Sequence, residues 1–187
     1  MKKIAIFASG NGSNFQAIIN EIESGALNAE IAVLVTDNPD CFAVTRALSH
    51  NIPVFSFIPK KYTSKDEYEK EIAFFLIEKN ISLIVLAGYM RLIGDVLLKA
   101  FPNRIINIHP ALLPAFAGKN GIQQAYNYGV KVFGVTVHYV DAGMDTGKII
   151  AQECFKAAGT ETLQEIEKRI HSIEYQLYSR VIREILQ

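Results

Sequence analysis

Five short apolar runs, each closed by turn residues and set apart by stretches of helical period, constrain the fold of this chain more than any other feature. They are Ile4 to Ala8, Ile31 to Val35, Val54 to Phe57, Ile81 to Ala87 and Ile105 to Ile108. Most are apolar on successive residues, not alternate ones, as expected of strands buried on both faces of a parallel sheet. Between the first two, Phe15, Ile18, Ile19 and Ile22 follow the i, i+3, i+4, i+7 rule of an amphipathic helix, and Ser13 with Gln16 has the spacing of a capping box at its start. Ser64 with Glu67 and Thr162 with Glu165 mark two more helix starts, the last opening an apolar stripe through Leu163, Ile166, Ile170, Ile173 and Leu177. From Val130 the rhythm changes to two strands, Lys131 to Tyr139 and Ile149 to Phe155. The Gly- and Asp-rich loop between them, Val140 to Lys148, is too short for a crossover helix, so the pair is expected to run antiparallel. The pattern predicts an α/β fold with a mostly parallel twisted sheet, helices on both faces and an antiparallel strand pair near the C-terminus. No repeat, low-complexity segment or linker divides it, so residues 1–187 read as a single domain.

Half of the 187 residues are apolar, enough for one core. Nineteen Lys and Arg balance nineteen Asp and Glu, without the lopsided field that a nucleic acid partner demands. No apolar run approaches the ~18 residues of a membrane span, and the opening Met-Lys-Lys-Ile-Ala-Ile-Phe-Ala has neither the length nor the cleavage site of a signal peptide. A soluble, cytoplasmic protein is expected, with no membrane partner. Cys41 and Cys154 lie far apart with no companion at metal-ligand spacing; both read as reduced packing residues, and neither a metal site nor a disulfide is expected.

Chemistry enters first in Ala8-Ser9-Gly10-Asn11-Gly12-Ser13-Asn14, which follows a strand and opens a helix. Backbone N–H groups at such a helix start favour an anion through both hydrogen bonds and the helix dipole. Phe15 stands where a dinucleotide fingerprint has its third glycine, and Asp37 lies further on than a ribose-binding acid, which argues for a monophosphate over a dinucleotide. A tight turn without any ligand is the other reading, since glycine also serves turns alone.

Asn107 and His109 occupy alternate positions at the end of the fifth run, so their side chains point to one side of the sheet edge where ligands of open α/β folds bind. Asn107 has an amide to donate to a developing oxyanion, and His109 has an imidazole to donate a proton or supply positive charge to it. Pro110 keeps the His109 backbone extended. A carboxylate from the glycine-flanked loop Asp141-Ala142-Gly143-Met144-Asp145-Thr146-Gly147 is placed to orient His109 and hold a water; spacing leaves Asp141 and Asp145 both open. His138 reads as a hydrogen-bonded core residue, and His50 and His171 as structural or exposed.

Taken together, these pieces resemble the glycinamide ribonucleotide formyltransferases, folate-dependent enzymes of purine biosynthesis. Four segments carry the resemblance in family order across essentially the whole chain: Gly10-Asn11-Gly12-Ser13-Asn14-Phe15-Gln16-Ala17-Ile18; Leu86-Ala87-Gly88-Tyr89-Met90-Arg91; Asn107-Ile108-His109-Pro110-Ala111-Leu112-Leu113-Pro114; and Gly134 to Val140 running on to Asp145-Thr146-Gly147. The resemblance implies a single Rossmann-like formyltransferase domain that moves a formyl group from 10-formyltetrahydrofolate, as cosubstrate, to the amine of 5′-phosphoribosyl-glycinamide, without a metal. It implies that Gly12, Ser13 and Asn14 bind the substrate phosphate, that Glu174 meets its ribose, and that Asn107, His109 and Asp145 are catalytic, which selects Asp145 over Asp141. For the folate it implies a wall of Met90, Arg91, Leu92 and Ile93, with Asn107, Val140 and the loop from Asp141 to Asp145 closing the other side and Lys65 at the tail.

Three departures bear on the folate contacts. Lys65 stands where many members have Arg, Ala117 replaces a common Pro or Lys, and Lys148 follows Gly147 where Pro is usual. Other 10-formyltetrahydrofolate-using enzymes of the same pattern, a methionyl-tRNA formyltransferase or a formyltetrahydrofolate hydrolase, would bring a further domain for which this length leaves no room. A non-catalytic nucleotide-binding module would use the glycine loop alone. A monomer or a homodimer is compatible with the sequence.

Overall fold

In the computed structural model, which describes residues 1–187, the chain runs β1 (Lys2–Phe7), α1 (Ser13–Glu23), β2 (Ala29–Thr36), α2 (Phe42–Ser49), β3 (Val54–Ser56), α3 (Lys65–Glu78), β4 (Ile81–Leu86), α4 (Asp95–Ala100), β5 (Ile105–His109), α5 (Gly121–Tyr128), β6 (Val132–Tyr139), β7 (Ile149–Lys156) and α6 (Leu163–Leu186). The seven strands form one sheet in the order β3-β2-β1-β4-β5-β6-β7. Strands β1 to β5 are mutually parallel, and β6 and β7 are antiparallel to their neighbours, as the short loop between them requires.

Strand β1 shows why its apolar residues are consecutive. Ile4 and Ile6 pack under α1 and α6, while Ala5 and Phe7 pack on the other face under α3 and α4, and all four are fully buried. The chain leaves β1 toward β2 on one side and returns to β4 on the other. Their carboxyl ends therefore diverge, and a crevice opens at that point of the sheet.

The helix starts refine the sequence reading. Thr162 and Glu165 form a full capping box, and Ser64 accepts from the Glu67 N–H, although the Glu67 carboxylate turns to Thr63 instead. The expected Ser13–Gln16 box does not form. The turn out of β1 needs a left-handed residue, Gly12 at φ 73° and ψ 35°, which moves the cap back by one and leaves the helix start without a capping side chain. Gln16 instead bonds Arg46 and Asn20. Cys41 is buried as expected, but Cys154 is not a packing residue: it is exposed on the edge strand β7, where alternate side chains face outward. No helix is long and apolar enough to cross a membrane.

Candidate active site

A cleft of about 880 Å³ lies along the carboxyl ends of β1, β4 and β5, under the β6–β7 loop. Asn14, Met90, Arg91, Leu92, Ile93, Asn107, His109, Val140, Asp145 and Glu174 all line it. Gly12, Ser13, Lys65 and Asp141 do not. A smaller cavity beside Phe57 and Tyr62 is remote from these groups.

The centre of the cleft is made by register. Because β6 runs antiparallel to β5, His138 stands directly opposite Asn107 and Thr136 opposite His109. His138 is buried, as expected, but in the site and not away from it. Its Nδ1 lies 2.8 Å from the Tyr139 carbonyl, which only accepts, so Nδ1 carries the proton and Nε2 faces Asn107 Nδ2 at 3.3 Å. Asn107 Nδ2 also reaches Asp145 Oδ1 at 3.3 Å. His109 Nε2 donates to the Phe116 carbonyl at 2.8 Å, while its Nδ1 faces Asp145 Oδ2 at 3.3 Å. With Asp145 ionised, that second contact is attractive only when Nδ1 is also protonated, so the geometry suits an imidazolium paired with a carboxylate. Burial pushes the Asp145 carboxyl up, but the neighbouring His138, with Nε2 3.5 Å from Oδ1, the Gly118 N–H at 2.8 Å and the charge of His109 outweigh it and hold the group below the usual aspartate range.

The two loop aspartates separate cleanly. Asp145, in the left-handed region at φ 56°, turns its carboxylate into the cleft. Asp141 accepts from Gly143 N and Thr146 Oγ1 at 3.0 and 2.7 Å, so its side chain is spent on shaping the loop. Beneath the other strand end, the buried Thr136 hydroxyl bonds the Ala111 carbonyl and the Leu113 N–H, fixing the turn after His109, which contains a cis Leu113–Pro114 bond.

One wall of the cleft is the segment after β4. Met90 and Leu92 expose apolar side chains there. Arg91 points away to Asp37 at 2.8 Å, and Asp37 also accepts from Ser9, whose oxygen takes the Met90 N–H. The wall is thereby tied to the ends of β1 and β2. The following Gly94 N–H donates to the buried carboxylate of Glu69 at 2.7 Å. Lys65 lies behind that contact, 3.8 Å from Glu69 and outside the cleft lining.

At the glycine loop, the first intrahelical bond is Gln16 N to the Gly12 carbonyl, so the N–H groups of Ser13, Asn14 and Phe15 precede the helix ladder and have no capping side chain over them. Asn14 Oδ1 is buried without a partner. Helix α6 presents Glu174, which is buried, and His171, whose Nδ1 lies 2.6 Å from Glu174 Oε2. His171 therefore does have a polar setting and lines the cleft, and His50 likewise pairs with Glu23 at 2.7 Å. The first partner is a helical neighbour at i+3, and the second lies on a different helix and is brought there by packing.

The formyl transferase family model matches residues 2–182. The chain belongs to that family. The formyltransferase is 51% identical over 186 residues to the phosphoribosylglycinamide formyltransferase of Bacillus subtilis (strain 168), covering 100% of this chain and 95% of that one. It is 37% identical to the phosphoribosylglycinamide formyltransferase of Haemophilus influenzae, covering 98% of this chain and 86% of the relative. Its backbone matches the crystal structure of glycinamide ribonucleotide transformylase 1 from Geobacillus kaustophilus with a TM-score of 0.96 at 51% identity, over the whole of both chains. His138 and His171 line the cleft, and Thr136, Asp37 and Glu69 brace the segments around it, none of which the sequence alone had placed there. Only His171 had a signal in the sequence, the i+3 spacing to Glu174.

Proposed function

We infer that this chain is a phosphoribosylglycinamide formyltransferase, a single-domain cytoplasmic enzyme that transfers a formyl group from 10-formyltetrahydrofolate to 5′-phosphoribosyl-glycinamide. One observation carries the reading: a single cleft is lined by Asn14 of the uncapped helix start, by the buried Glu174 and by the Asn107, His109 and Asp145 cluster. The phosphate meets the N–H groups of Gly12, Ser13 and Asn14, and Glu174 takes the ribose hydroxyls. The folate lies against Met90, Arg91, Leu92 and Ile93, with Val140 and the loop from Asp141 to Asp145 across from them. The backbone of this wall is held rigid by the Arg91–Asp37–Ser9 ties. Lys65, behind the wall, meets only the outer end of the folate.

The glycinamide amine attacks the formyl carbon on N10, giving a tetrahedral oxyanion. Asn107 Nδ2 and the protonated His109 donate to that oxygen, which displaces the Phe116 carbonyl as the acceptor of His109. Asp145, ionised and held by Asn107 Nδ2, His109 Nδ1 and the Gly118 N–H, carries a proton from the attacking amine through a water toward N10 as the C–N10 bond breaks. The products are the formylated amide and tetrahydrofolate, with no proton left over. Loss of a single oxyanion donor costs about 10²–10³ in kcat.

The test measures 10-formyltetrahydrofolate turnover with and without the phosphorylated glycinamide, in the wild type and in His109→Ala and Asp145→Asn. Turnover that requires the glycinamide is expected, with both variants folded and slowed by about 10²-fold or more. Turnover without it would mean a hydrolase, and a near-normal kcat in either variant removes that residue from the mechanism.

A further inference from the structure

The guanidinium of Arg46, on α2, is committed to the glycine loop. Its Nε donates to the Asn11 carbonyl at 2.9 Å, its Nη2 to Asn11 Oδ1 at 3.0 Å and its Nη1 to Gln16 Oε1 at 3.0 Å, while the group stacks on Phe42 with its central carbon 4.7 Å from the ring centroid. All three acceptors are neutral. No carboxylate lies within 4.0 Å of the guanidinium, although Arg91, Arg169, Arg180 and Arg183 all have one. The network continues to the His50–Glu23 pair, in which His50 Nε2 lies 3.2 Å from Gln16 Nε2 and His50 Nδ1 lies 2.7 Å from the Glu23 carboxylate.

Helix α2 as a whole clamps this loop. The Ala43 N–H donates to the Gly10 carbonyl at 3.1 Å, and the Ala43 methyl would stand 2.9 Å from any Cβ at Gly12. Arg46 grips the residue between those two glycines from both its main chain and its side chain. Asn11 directly precedes Gly12, so this grip sets the direction in which the next three N–H groups point. An arginine that spends its fork on neutral oxygens beside an uncapped helix start leaves a full positive charge where an anion belongs.

We propose that Arg46 is the positioning residue of the phosphate subsite: it fixes Asn11 so that the Gly12 to Asn14 backbone converges on a phosphomonoester, and it supplies the charge that offsets that dianion. The proposal rests on the reading of the glycine loop as a phosphate site. Arg46 has no part in the formyl transfer itself, and the folate wall lies on the other side of β1.

The experiment compares Arg46→Gln and Arg46→Lys with the wild type in steady-state kinetics with both substrates varied, and in inhibition by inorganic phosphate. Arg46→Gln is expected to raise KM for the phosphorylated glycinamide and the inhibition constant of phosphate about tenfold, the order expected for one charge across a partly screened surface. KM for the folate stays at its wild-type value, and kcat at saturation changes by less than about twofold. Arg46→Lys recovers most of the loss, because it restores the charge. A wild-type glycinamide KM in Arg46→Gln overturns the proposal. Equal rises in both substrates' KM values overturn it too, since they mark a general loss of structure, and a Lys variant as weak as the Gln variant overturns the charge role. Failure of the functional reading looks different: the wild type itself then shows no glycinamide-dependent turnover, and direct titration of wild type and Arg46→Gln with phosphate still decides the role of Arg46.

Discussion

His171 and Glu174 are one helical turn apart on α6 and joined by a 2.6 Å hydrogen bond, with the imidazole half exposed and the carboxylate buried. That bond is the main cause holding the His171 imidazole above its ordinary value of 6.5; burial acts against it and loses. A histidine whose pKa is raised on folding adds stability that is fully present below pH 6.5 and disappears as the pH rises through the folded-state value. His171→Gln should therefore lower Tm relative to the wild type on the acid side of neutrality, with the gap closing as the solution becomes alkaline. Thermal denaturation across the neutral range reads this directly, and a gap that is constant or widens with pH would show that the charged pair is not responsible. At the same scale, the sequence exposed only part of the site. Asn107 and His109 were legible because alternate spacing at a strand end leaves a local trace, whereas the glycine-flanked loop pointed to Asp141 and Asp145 alike and only the family resemblance chose between them. His138 was not placed in the site because its role depends on standing opposite Asn107, which is fixed by the β5–β6 register and leaves no mark on its own neighbours. Asp37 escaped for a similar reason: its partners Ser9 and Arg91 belong to other strand ends.

Among the elements, the β6–β7 loop carries the tightest geometric demand. A Cβ on Gly147 would overlap the Tyr139 carbonyl oxygen and lie 2.8 Å from the carbonyl carbon, both of them backbone atoms that cannot step aside. The loop closes back on the end of β6 through the Tyr139 N–H to Lys148 carbonyl bond at 2.9 Å, so any widening there moves Asp145, two residues upstream. We expect Gly147→Ala to lower kcat by roughly 10²-fold, the penalty typical of an ångström-scale misplacement of a reacting group. Steady-state kinetics with circular dichroism is the measurement; a folded variant with near-normal kcat would mean the loop tolerates the shift or Asp145 does not need its position. The strands and α1, α3 and α6 were legible because each has a run or stripe long enough to show its period. The short helices α2 and α4 were not picked out. The start of α2 at Cys41 has no side-chain cap, and α4, six residues long, is capped from outside by Glu69 of α3, whose carboxylate takes the Gly94 N–H. A cap supplied by another helix cannot be seen from the spacing of residues along one.

At the scale of the whole molecule, α6 joins the core to the site. Its 24 residues extend about 36 Å. One face buries Ile166, Ile170, Leu177 and Val181 against the sheet, while Glu174 on the same helix reaches the cleft. Tyr178, one turn beyond Glu174, is 1% exposed and sends its hydroxyl to the Leu86 carbonyl at 2.8 Å and the Ile106 carbonyl at 3.1 Å. Those residues end β4 and immediately precede Asn107 on β5. The hydroxyl therefore ties the strand that leads into Met90 to Ile93 and the strand that carries Asn107 to the helix that carries Glu174, all of which line the cleft. Burial drives the phenol well above its usual range, so it stays a donor at any pH the fold survives. Tyr178→Phe keeps the ring and deletes only that donor, and leaving two buried carbonyls short of a hydrogen bond costs about 1–3 kcal/mol. For a chain of this size each kcal/mol lowers Tm by roughly 2–4 °C. The expected outcome is a Tm lower by several degrees with kcat within about twofold of the wild type, because the aromatic ring still holds the spacing of α6 over the sheet. Differential scanning calorimetry alongside steady-state kinetics separates the alternatives: an unchanged Tm with a large fall in kcat would place the hydroxyl in the chemistry instead of the frame.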